Sequence, residues 1–128
     1  MSRAAMWACA ALAAAGAFWS GAGGSGTALA GAYEFLAAPQ TNLNRIYRLD
    51  KATGEVGACQ YGLKEGTIGV TICYPSGEGA GAQTPGEYAL ISSRHEQEAG
   101  VFRVDQRSGG VAICYVYNEA VVCTPPGK

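Results

Sequence analysis

Four of the five cysteines, one histidine, two arginines with nearby tyrosines and one glycine-rich run are the residues here from which chemistry could be built. Cys59, Cys73, Cys114 and Cys123 lie 14, 41 and 9 residues apart, and no C-x-x-C pair occurs. Structural zinc draws on ligands roughly two to four residues apart. The spacing therefore speaks against a metal site, and neither a metal nor an organic cofactor is expected. His95 sits in the polar run Arg94-His95-Glu96-Gln97-Glu98, where an imidazole is solvated. Serine chemistry needs a base and an orienting acid, and a lone loop histidine without G-x-S-x-G gives neither. Gly77-Glu78-Gly79-Ala80-Gly81 lacks the Lys-Ser/Thr of a phosphate-cradling loop and any strand-to-helix context, so it reads as a connection. No enzyme is expected.

Recognition chemistry remains. Arg48 and Arg103 alternate with Tyr47/Leu49 and Phe102/Val104, so each points to the opposite strand face from its apolar neighbours. One reading is an exposed arginine paired with Glu55 or another carboxylate, worth little energetically. The other is two equivalent pockets, each an arginine beside tyrosine, suited to a sugar or an acidic peptide. Tyr47, Tyr61 and Tyr115 complete the candidate ligand-binding set with Arg48 and Arg103; Tyr74 and Tyr117 enlarge the aromatic supply.

The first 30 residues are expected to be a secretory signal. Met1-Ser2-Arg3 is a short positive start, Ala4 to Trp19 is an uncharged Ala-rich run, and Ala28-Leu29-Ala30 is an A-x-A cleavage site. The run is shorter than the ~20 apolar residues of a membrane span. Cleavage there starts the mature chain at Gly31, removing both tryptophans and Cys9. What is left carries eight basic and ten acidic residues. That balance has no basic face for nucleic acid or an anionic membrane. The expected location is periplasmic or extracellular, in a bacterium. There, four cysteines in a domain of this size read as two disulfides.

The elements that must position these residues come from a duplication. Gly31–Cys59 aligns without gaps on Gly86–Cys114 at an offset of 55, with Gly31/Gly86, Tyr33/Tyr88, Arg48/Arg103, Asp50/Asp105, Gly54/Gly109, Val56/Val111 and Cys59/Cys114 identical. Runs rich in Val, Ile, Tyr and Phe between Gly, Pro and Asn clusters predict four strands per copy. They fall near 32–37, 45–50, 55–60 and 69–74, then 87–92, 100–105, 110–116 and 120–124. Repeat 1 is residues 31–74 and repeat 2 is 86–124; the Gly/Pro-rich stretch between them, from Pro75, is too broken for a regular element. In Asp50-Lys51-Ala52-Thr53-Gly54 and its twin Asp105-Gln106-Arg107-Ser108-Gly109, the Asp is expected to accept from following backbone amides and the Gly to supply the positive φ of a hairpin turn. Read functionally, Asp50 and Asp105 would be paired acids, which requires the copies to bring them together.

Duplication also favours bridges that one ancestral unit could already make, Cys59–Cys73 and Cys114–Cys123. With Asn118-Glu119 as a two-residue turn, strand alternation makes Cys114 and Cys123 a non-hydrogen-bonded pair with Cα atoms roughly 4.5 Å apart, within reach of a disulfide.

Arg48-Leu49-Asp50-Lys51-Ala52-Thr53-Gly54-Glu55-Val56 resembles the LDxxTGxV stretch of quinoprotein-type β-propeller blades, and Arg103–Val111 is a second copy. The resemblance implies a blade-like four-stranded meander. Ala58 and Ile113 stand where the docking tryptophan of those blades would fall, so quinone and calcium binding are not implied. The expected fold is all-β: two tandem four-stranded antiparallel meanders, a pseudo-twofold duplication, packed as a small sandwich or barrel or as two propeller blades. A closed monomer is expected ahead of an oligomeric propeller. The expected function is non-enzymatic binding or a structural role towards a protein or glycan. A lectin-like module with two equivalent sites and an inhibitor of a secreted hydrolase are the alternatives.

Overall fold

A computed structural model describes residues 31–125. The expected signal segment and its cleavage junction lie outside the described residues. Eight strands follow one another: β1 Tyr33–Ala37, β2 Arg45–Asp50, β3 Val56–Gly62, β4 Val70–Tyr74, β5 Tyr88–Ser92, β6 Val101–Asp105, β7 Val111–Tyr117 and β8 Ala120–Cys123. They form two antiparallel four-stranded meanders, β1-β2-β3-β4 and β5-β6-β7-β8, which do not close into a barrel. Among the described residues no helix is long and apolar enough to cross a membrane.

The two sheets pair corresponding positions of the aligned segments. Tyr33 pairs with Asp50 and Tyr88 with Asp105; Leu49 pairs with Val56 and Val104 with Val111. The Asp turns share their frame but not every bond, since the Ser108 hydroxyl and the Glu87 amide also donate to the Asp105 carboxylate. Asp50 Oδ1 accepts the amides of Ala52 and Thr53 at 2.9 and 3.1 Å, and Asp105 Oδ1 accepts that of Arg107 at 3.0 Å. Gly54 and Gly109 both adopt φ +80°, and each donates its amide to the turn's Asp carbonyl at 2.8 Å. These amides hold both carboxyls below the usual Asp range.

Each sheet has two faces set by alternation. The front carries Leu36, Tyr47, Leu49, Val56 and Ala58 in the first sheet and their counterparts Ile91, Phe102, Val104, Val111 and Ile113 in the second. The back carries Tyr33, Phe35, Ile46, Arg48 and Cys59, and then Tyr88, Leu90, Val101, Arg103 and Cys114. The core takes the front of the first sheet and the back of the second. Val56 is 0% exposed and its twin Val111 50%, while Tyr33 is 51% exposed and its twin Tyr88 8%. The sheets therefore stack front to back, with β5 beside β1.

The connection after β4 is more ordered than its composition suggests. Pro75 O accepts from Val121 N, Gly77 N donates to Val121 O, and Cys123 N donates to Glu78 O, so this segment lines the free edge of β8. Contact is close enough that a Cβ at Gly79, itself at φ +76°, would lie 2.0 Å from the Cys123 carbonyl oxygen. Ala80 then enters the core and accepts the Val56 amide.

Both bridges join neighbouring strands within a repeat. Cys59–Cys73 and Cys114–Cys123 sit on register pairs with Cα atoms 4.0 and 4.1 Å apart. Asn118 and Glu119 take φ +53° and +63°, the left-handed pair that a tight two-residue hairpin turn uses. The second bridge is buried, whereas Cys73 faces solvent.

Candidate functional site

The largest unpartnered chemistry lies on the back of the first sheet. β1 places Tyr33 and Phe35 there, β2 places Ile46 and Arg48, and β3 places Tyr61. Phe35 is 57% exposed and Ile46 42%, which is unusual for side chains this apolar in register on one sheet. The Arg48 guanidinium carbon lies 5.4 Å from the centroid of the Tyr33 ring, within cation–π range. Asp50, Glu55, Tyr74 and Ser76 complete a shallow cleft of about 210 Å³ around this pair. Among the described residues Arg48 forms no ion pair with Glu55; Arg107 pairs with Glu87 on the surface, where the His95 ring also lies beside Glu98.

The repeat-equivalent cleft, about 390 Å³, contains Tyr88, Arg103 and Asp105, but its character differs because Glu78, Gly79 and Gln83 of the connection after β4 also line it and Arg103 is buried. Arg103 is 8% exposed and its Nη1 donates to the Gly54 carbonyl at 2.9 Å. Burial lowers its pKa from the ordinary guanidinium value, with the Tyr88 phenol acting the other way. Tyr88 lies over the Gly54 turn and donates its hydroxyl to the Thr84 carbonyl at 2.6 Å. The expectation of two equivalent Arg–Tyr pockets is therefore corrected. Arg103 holds the sheets together, and Arg48 alone is free.

The five ligand-binding candidates fall in three places. Arg48 and Tyr61 share the open back of the first sheet. Tyr47 and Arg103 lie in the core. Tyr47 cannot serve a site with Arg48, because alternation puts it on the other face, where its hydroxyl donates to the Ala99 carbonyl at 2.7 Å. Its burial pushes the phenol pKa up, against a smaller opposing effect of Arg45. Tyr115 projects from the front of the second sheet and borders a cleft of about 420 Å³ with Gln97, Glu98 and Ile113. Asp50 and Asp105 line different clefts, each tied into its own turn, so they are not brought together as paired acids. His95 is exposed, 3.4 Å from Glu98.

The open front of the second sheet was not singled out by motif. Ile91 and Val111 are 53% and 50% exposed there, with Tyr115 and Tyr117 alongside. Ile91 and Val111 fall opposite Leu36 and Val56, which are apolar in the first copy, whereas Tyr115 and Tyr117 lie beyond the aligned stretch.

Comparison with protein-family models, with curated proteins and with solved structures finds no match.

Proposed function

We propose that this protein is an exported, non-enzymatic β module that acts by binding or structural packing through the two free faces of its sheets. The observation that supports this most is the pair of exposed apolar faces, Tyr33/Phe35/Ile46 on one sheet and Ile91/Val111/Tyr117 on the other. Exposed apolar area of this extent on a small domain serves association. Two disulfides are compatible with an oxidising periplasmic or extracellular location. Each meander is read as blade-like, in keeping with the turn sequences that resemble propeller blades.

The test is expression of the full chain in a bacterial host, followed by intact-mass and thiol analysis of the recovered protein. Mature protein starting at Gly31 with both bridges closed is expected. A chain retaining Met1, or carrying free thiols, overturns the reading. A second reading, glycan binding, is supported by the polar cleft around Arg48 and Tyr33. It predicts one site per chain, lost on a glycan array when Arg48→Ala is introduced.

A further inference from the structure

Because the two repeats use opposite faces, the packed interface inside the chain has an unfilled counterpart outside it. Inside, the front of the first sheet meets the back of the second. Outside, the back of the first sheet and the front of the second are free, and they carry the aligned counterparts of the residues that meet inside. Ile46 stands for Val101, Phe35 for Leu90 and Tyr33 for Tyr88; Val111 stands for Val56 and Phe102 for Tyr47.

We propose that the free front of the second sheet packs on the free back of the first sheet of another copy of this chain, repeating the internal contact until a ring closes. This rests on the reading of an exported module that works through its faces, and it names the partner as a second copy.

The anchors of the internal contact have counterparts ready for it. Arg103 donates to the carbonyl of Gly54, and the equivalent donor Arg48 is free. Tyr88 closes over Gly54, leaving only 2.9 Å to a Cβ there, whereas Gly109 has the same φ of +80° and nothing within 4 Å of a Cβ. The partner's Tyr33 and Arg48 would occupy that open position. The substitutions across the free front favour a drier contact: Phe102 replaces Tyr47 and Ala89 replaces Glu34. Ile113 for Ala58 adds bulk on that front, and Gly57 for Ala112 removes it from the facing back.

A contact between unlike faces is heterologous, so it propagates and ends only by closing. Rings of stacked four-stranded sheets close at about four to eight members. At two sheets per chain, that is about two to four chains.

The experiment uses mature, oxidised protein with Ile46→Asp, which spoils the back of the first sheet, and Val111→Asp, which spoils the front of the second. Mass is read by sedimentation equilibrium across a concentration series. Wild type is expected as one discrete multimer of two to four chains, each variant as a monomer, and the double variant as a monomer. Mixing the two single variants restores one good interface and is expected to give a 1:1 dimer that grows no further. Should either Asp variant fail to fold, Phe35→Ser and Ile91→Ser replace them. A monomeric wild type overturns the proposal, as does a Val111→Asp protein that still pairs with itself, or a mixture that stays monomeric. An open-ended ladder overturns ring closure. A wild-type monomer that starts at Gly31 with both bridges closed defeats the assembly but leaves the exported-module reading standing; Met1 or free thiols defeat that reading.

Discussion

Gly54→Ala and Gly109→Ala form a matched pair that measures how firmly the two sheets are joined. Both glycines sit at φ +80° in the same Asp-led turn, so an alanine pays the same left-handed strain at each, about 1–2 kcal/mol. Only Gly54 is covered. A Cβ there would lie 2.9 Å from Tyr88 Cε1 and 3.0 Å from Cδ1 and Cζ. The ring cannot swing clear easily, since Tyr88 is buried and its hydroxyl is held by Thr84. Overpacking of this kind costs about 1–3 kcal/mol. Gly54→Ala should therefore be the more destabilising by about that amount, equivalent to roughly 4–8 °C of melting temperature per kcal/mol in a domain of this size. The comparison belongs in the Val111→Asp background, where the proposed assembly cannot contribute. Urea denaturation and thermal melts of both variants give the difference directly. Equal losses would show that Tyr88 does not rest on the Gly54 turn, and would remove the argument that front-to-back stacking is tightly fitted.

Arg103→Ala should cost about 1–3 kcal/mol by leaving the Gly54 carbonyl without its donor, while Arg48→Ala in the same background stays within about 0.5 kcal/mol; paired urea titrations measure both. Graded reduction followed by alkylation and peptide mapping should open Cys59–Cys73 before Cys114–Cys123, because Cys73 is exposed and the second bridge is buried. Loss of either bridge should cost on the order of 3 kcal/mol, read by melting Cys→Ser pairs. Asp50 and Asp105 have folded pKa values below their unfolded ones, so their contribution is fully present above the unfolded Asp value of about 3.9 and fades as pH falls through the lower folded values. Asp50→Asn with Asp105→Asn should flatten that acid limb of the stability curve, and an unchanged limb would mean that the turns are not its source.

Much of this molecule was legible in the chain itself. The Asp-to-Gly turns, the eight strands to within a residue or two and the within-repeat disulfides all follow from local rules: hydrogen-bonding range, glycine's access to positive φ, and the two-residue period of a strand. The Asn118-Glu119 turn alone sets the β7–β8 register that brings Cys114 to Cys123. What those rules cannot reach is which face of a strand is buried. Arg48 and Arg103 occupy identical positions in aligned repeats, and so do Val56 and Val111, yet one member of each pair is buried and the other exposed. Alternation says only that Arg48 and Tyr47 oppose each other; in both repeats each face is apolar enough to enter a core. Burial is a property of the neighbour a face meets, and that neighbour is another sheet some 55 residues away. Only the front-to-back stacking of the two meanders, with the Pro75–Ala80 segment along β8 and Ala80 in the core, decides that Arg103 becomes a tie between sheets while Arg48 stays free.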